Sequence, residues 1–351
     1  MTISPLLAIL EIYSGDEARL KMSSMTNGFY RVLAEVFLFN LLFMAKDSDE
    51  KRTEREILLL IANLGLKDID ETIPRLVTYG SKAIEPLSRY LLNGRPTGTF
   101  QGRQWAVMAL ARLGARDVLK KYLSLSKDIT DPVVDFGEEA VESTAARELA
   151  RWPDEDTFQF LMDYAKRKKR IGTLEALGEF KRKESVKLLI DALGDDFYRQ
   201  AAKSSLRKIG RIAYRYLLNS LVSKSKNESP SDIRRKEIVI SLLNDLGISK
   251  KDWLLIRSLL KHPSPGIVAG ATKIAAKIAP KKDRVLAARK AIDAYTSANW
   301  WIRIELEDCL NSLLPESGKI LDEAIGHGDY REDIKDRLVK IREKLNQNFT
   351  K

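Results

Sequence analysis

The chain is poor in the residues that build covalent and metal-held frameworks. One cysteine, Cys309, stands among 351 residues, so neither an internal disulfide nor a thiolate zinc cluster can form. Two histidines, His262 and His327, lie far apart and leave little material for a histidine metal site. No metal and no cofactor is expected. Proline (11) and glycine (19) are too scarce for a collagenous or low-complexity protein. Long apolar runs are missing too. The most apolar stretch, Val36 to Ala45, is about half of the ~20 residues that a membrane-spanning helix needs, so no membrane contact is expected. Residues 1–15 lack the basic start and small-residue cleavage site of a signal peptide. The expected location is cytoplasmic.

What remains is a charged, foldable chain. Hydrophobic residues make up 44% and charged residues 31%, which excludes global disorder. Strand-like alternation of useful length does not occur, whereas helical strings recur. Arg199 to Gly210 reads RQAAKSSLRKIG, with Ala202, Leu206 and Ile209 on one face and a glycine stop. Arg103 to Gly114 (RQWAVMALARLG), Arg55 to Gly65 (REILLLIANLG), Arg170 to Gly178 (RIGTLEALG) and Arg235 to Gly247 (RKEIVISLLNDLG) follow the same plan. Weaker copies lie at 139–150, 267–278 and 303–314. Most steps between helix ends are about 27 to 37 residues, the period of a helical-repeat array. A short amphipathic helix and a turn precede most of these strings. In the clearest unit, Ser185 to Leu193 leads into Gly194-Asp-Asp-Phe, where Asp195 or Asp196 is placed to cap the next helix. His262-Pro-Ser-Pro265 marks the same turn further on, with proline suited to a helix start.

These strings resemble the HEAT-repeat family, including the subgroup named after phycobilisome lyases. Units 183–210, 250–279 and 282–314 match its pattern best. The resemblance implies an all-α, right-handed α-solenoid of about eight or nine helical hairpins, each burying its apolar face against its neighbours. Residues 1–80 are expected to form an atypical helical cap continuous with the array, residues 81–346 the array itself, and 347–351 a tail. Within the cap, Phe29–Met44 is apolar nearly all round, which predicts burial. A homodimer interface through it is the less favoured alternative to a monomer.

Charge is concentrated. Residues 201–300 hold 21 basic and 7 acidic residues, so this block carries +14 while the rest of the chain brings the total down to +11. Solubility alone does not require such concentration. Arg199, Lys203, Arg207 and Arg211 step by four, Lys273 and Lys277 repeat the spacing, and Arg234 and Arg235 open the intervening helix. In the family the second helix of each pair lines the concave face. The resemblance thus implies a basic concave groove built from these eight residues. Its partner would be an acidic protein surface. The alternative is nucleic acid, whose phosphates release counterions on meeting Lys and Arg. Tyr214, Tyr216, Trp253, Trp300 and Trp301 lie in or near the block, and helical spacing favours core positions for them over base stacking. Lys166 to Arg170 is the densest basic run and reads best as a solvated turn.

Catalytic signatures are sparse. The His-Glu pairs of HEAT-like hydroxylases are absent, because Pro263 and Gly328 follow the two histidines. Gly94, Gly98 and Gly102 lack the ending of a phosphate loop. Asp252-Trp253 is the nearest candidate for a glycosylase-like pair, and a helix start beside a core tryptophan explains it better. Cys309 reads as a buried small hydrophobe. The resulting expectation is a non-catalytic binding scaffold, with a nucleic-acid binder, base-modifying or not, as the alternative.

Overall fold

A computed structural model describes residues 49–66, 68–96, 99–126, 128–222 and 228–349. The Phe29–Met44 segment, and with it the dimer interface considered above, lies outside them. Every regular element among the described residues is helical. Contacts divide the chain into two compact units. One runs through Arg95 and adds Gln101–Gly114; the other holds Pro96–Phe100 and the chain from Ala115 onward.

The first unit contains α1 (49–62), α2 (Ile69–Thr78), α3 (Ser81–Asn93) and α4 (Gln101–Arg112). Asp68 opens α2 by accepting a hydrogen bond from the Asp70 amide. Ile57, Ile61, Ile73, Leu76, Leu87, Leu91 and Leu110 are buried. Gly102 sits where helices meet: a Cβ there would fall 2.8 Å from the Leu64 carbonyl oxygen and 2.5 Å from the Tyr90 hydroxyl.

In the second unit helices alternate between two layers. The first-layer helices are α5 (Arg116–Ser124), α7 (Glu155–Arg167), α9 (Val186–Ala192), α11 (Tyr214–Val222), α13 (Trp253–Ile256), α15 (Lys281–Tyr295) and α17 (Glu316–His327). Each is followed by its second-layer mate: α6 (Pro132–Leu149), α8 (Ile171–Glu179), α10 (Arg199–Ile209), α12 (Pro230–Leu246), α14 (Pro265–Ile278), α16 (Trp300–Ser312) and α18 (Glu332–Phe349). Mates touch each other, and successive second-layer helices from α6 to α16 touch in turn. From Leu174 to Leu345 one apolar cluster is shared by both layers, as expected when no hairpin can bury its own face.

Local chemistry starts and stops these helices. Asp131 caps α6 ahead of Pro132, Ser264 caps α14 ahead of Pro265, and Asn299 caps α16. Ser229 and Asp232 form a reciprocal capping box on α12. Gly114, Gly210 and Gly247 end helices at positive φ, as the repeat pattern predicts. Gly178 differs. It lies inside α8, and a Cβ there would meet Ser205 of α10 at 2.6 Å, so glycine serves helix contact rather than termination. Asp195 and Asp196 do not cap α10 either. Asp195 accepts from the Phe197 amide in the turn, and Asp196 pairs with arginines.

Candidate binding cleft

Second-layer helices carry all eight predicted binding residues except Arg211, which sits in the 3-10 turn just past α10. The structure spends most of their charge locally. Arg199 pairs with Asp196 and also donates to the Leu193 carbonyl at 3.2 Å. Arg234 reaches the same Asp196 at 2.9 Å, from the next hairpin. Arg207 pairs with Asp245 at 2.8 Å, and Arg235 with Asp232 at 2.6 Å. Arg211 donates to the Gly247 carbonyl at 2.9 Å and lies over the Tyr214 ring. Lys277 donates to the Asn244 side chain at 2.6 Å. Among the described residues, Lys203 and Lys273 make no hydrogen bond or ion pair. They differ from the other six in that respect.

Those two lysines meet in one place. A cleft of about 310 Å³ runs across α10, α12, α14 and α16. Lys203 stands on one wall, Lys273 on the floor helix α14, and Glu305 and Asp308 on the α16 wall. Ile238, Ser241 and Ile302 supply further lining. The close approach of helices beneath the cleft depends on Gly270, where a Cβ would fall 2.5 Å from the Ile240 side chain. A second depression of about 400 Å³ adjoins it through Lys203 and is lined by Glu175, Phe197, Gln200 and Arg207.

The expectation of a continuous basic groove over three repeats is therefore revised. Arg207 pairs with Asp245 of the following hairpin, Arg235 pairs locally with Asp232, and Arg199 and Arg234 share Asp196. The cleft itself brings three carboxylates, Glu237, Glu305 and Asp308, against two lysines. Glu237 is engaged by the Ser264 hydroxyl at 2.8 Å. Glu305 and Asp308 have no side-chain partner among the described residues. Cys309 also lines the cleft, yet it is buried and burial pushes its thiol up to about 12, so it is a neutral packing group.

Aromatic residues divide in a way that sequence did not anticipate. Trp253 is buried and its indole N–H donates to Asp283 at 2.8 Å; Tyr214 is buried and donates to Asp252 at 2.7 Å. Asp252 thus ties α11 to the following hairpin, also accepting from Arg215 at 3.2 Å, and lies away from the cleft. It makes no capping hydrogen bond to α13. Trp300 and Trp301, expected in the core, are instead 61% and 70% exposed, with ring centroids 4.3 Å apart.

The basic run at 166–170 hides the site that sequence reading missed. Arg170 is only 6% exposed. Its guanidinium binds Glu142 at 2.7 Å, Asp135 at 2.9 Å and Glu139 at 3.0 Å, all on α6. Lys168 adds a bond to Glu142 at 3.0 Å. Burial opposes the Arg170 charge, but its pairing with Glu142, Asp135 and Glu139 outweighs that and holds its pKa above the ordinary value. For Glu139 burial dominates over the attraction of Arg170, and its carboxyl is raised. The available signal was the Asp135, Glu138, Glu139, Glu142 spacing on one helix, about one repeat before Arg170.

No group of three or more His, Cys, Asp or Glu side chains among the described residues is placed to hold a metal ion. No described helix is long and apolar enough to cross a membrane.

Paired helices, a shared two-layer core and a cleft across one layer define an all-α helical-repeat protein. Residues 136–207 match the family model for HEAT repeats. No curated protein matches it. A solved structure of human deoxyhypusine hydroxylase in complex with glycerol is similar over 78% of this chain and 99% of that one, at 15% identity and a TM-score of 0.28. At that distance none of its activity transfers. It does correct one expectation: the protein compared is an enzyme, so the reading of this chain as non-catalytic is withdrawn.

Proposed function

We propose that the chain is a protein-binding scaffold whose second-layer cleft receives an acidic segment of a partner. One observation carries this reading: Lys203 and Lys273, unlike the other six predicted basic residues, are left without partners, and they converge on one cleft. Two lysines without protein partners, set beside apolar lining, favour a carboxylate on an extended peptide over a phosphate backbone. A duplex binder needs many cations along its track, and each phosphate neutralised adds about 0.9 to the salt slope. Four of the arginines that would supply them are committed to carboxylates within the protein.

The test is a binding comparison on the full chain. Fluorescence anisotropy of labelled acidic peptides, duplex DNA and single-stranded RNA is measured across a salt series. The reading expects the acidic peptides to bind and Lys203→Glu with Lys273→Glu to weaken them by about tenfold or more. Tight nucleic-acid binding with a steep salt slope, unchanged by those two substitutions, would overturn it.

A further inference from the structure

Apart from Glu237 on α12, which the Ser264 hydroxyl engages, the charges of the cleft are segregated by sign. Lys203 and Lys273 occupy α10 and α14, while Glu305 and Asp308 occupy α16 on the far side. On α16, Trp301, Glu305, Asp308 and Ser312 follow at intervals of four, three and four residues, so they form one stripe along the helix. Glu305, Asp308 and Ser312 face the cleft, and Trp301 extends the stripe one turn toward the helix start. Its indole is 70% exposed. Two carboxylates without side-chain partners, one turn along the helix from an exposed indole, make a receptor for a cation: carboxylates attract it, and the ring quadrupole adds to that attraction.

We infer that the segment bound in this cleft is of mixed charge, with acidic residues at Lys203 on α10 and Lys273 on α14 and a Lys or Arg over α16 held by Glu305, Asp308 and Trp301. This inference rests on the peptide-binding reading above and specifies its ligand. Neighbouring helices lie roughly 8–10 Å apart, and an extended chain advances about 3.3 Å per residue, so the basic residue over α16 falls about three positions from the acidic one at Lys273 on α14. A purely acidic segment long enough to cross to α16 would bring its charge against Glu305 and Asp308.

The experiment is selection of a random-peptide display library against the full-length chain, followed by titration of the enriched peptides. The expected consensus pairs an acidic residue with a basic one about three positions away. Glu305→Lys with Asp308→Lys should weaken such peptides by about tenfold, and Trp301→Ala by a few-fold, with unchanged melting because all three side chains are exposed. An acidic-only consensus that binds the Glu305→Lys/Asp308→Lys chain as tightly as the parent would overturn the mixed-charge inference and leave the cleft reading standing. Enrichment of nothing, or of peptides indifferent to Lys203→Glu and Lys273→Glu, would overturn both.

Discussion

The Arg170 cluster and the Lys203–Lys273 cleft are built from the same materials on the same helical layer. Each sets lysine or arginine against three or more carboxylates across neighbouring second-layer helices. In the first, α6 and α8 close over the charges, and Arg170 and Glu142 are 6% and 2% exposed. In the second, the helices leave an opening and the cations and anions stay apart. The difference teaches that local charge composition does not distinguish a structural lock from a binding surface. Burial and pairing do, and both depend on what the next hairpin supplies.

The comparison breaks first at the lock. Arg170→Met should cost up to about 3–5 kcal/mol, because buried Glu142 and half-buried Glu139 would lose the guanidinium that offsets their charge, with Lys168 still reaching Glu142. Urea unfolding measures this. Replacing Glu139 and Glu142 by Gln in the same chain should recover part of the loss, which separates stranded charge from lost packing. Gly172→Ala comes next. An added Cβ would fall 1.9 Å from the Ser143 carbonyl oxygen, so α6 and α8 must part, at about 1–3 kcal/mol in the same assay.

A smaller effect follows from the raised Glu139 carboxyl. A group whose pKa is higher folded than unfolded gives its stabilisation below the unfolded pKa and loses it as pH rises through the folded value. The stability difference between the parent and Glu139→Gln should therefore shift toward the parent as pH falls from neutral into the ordinary carboxylate range. Unfolding titrations at several pH values would show it, and a shift in the other direction would contradict the assigned environment. Smallest of all, Arg207→Ala should change stability by less than about 1 kcal/mol, since Arg207 and Asp245 are both half exposed. A larger loss would erase the contrast with Arg170.

Much of the architecture was legible because its signals are local. Gly114, Gly210 and Gly247 announce helix ends through the φ they must adopt, and Pro265 announces a start through its missing N–H. The cleft was legible only in part, because ion pairing runs between repeats. Arg207 finds Asp245, and Arg234 finds Asp196, each 38 residues away. A count over 201–300 includes Asp245 without placing it against Arg207, and leaves out Asp196, the partner of Arg234, altogether. The acidic wall of the cleft was obscured for a related reason: Glu305 and Asp308 lie just beyond the basic block at 201–300, yet α16 folds beside α14. Arg170 was misread because a dense basic run looks solvated until the acidic helix one repeat earlier is laid against it.

The central claim is that two unpaired lysines make this cleft a receptor for carboxylates. Titration calorimetry with one enriched acidic-containing peptide tests it most directly, comparing the parent, Lys203→Glu/Lys273→Glu and Arg207→Glu chains. The account predicts a loss of about tenfold or more for the lysine pair and a much smaller one for Arg207→Glu. Equal losses in both, or none in the lysine pair, would contradict it.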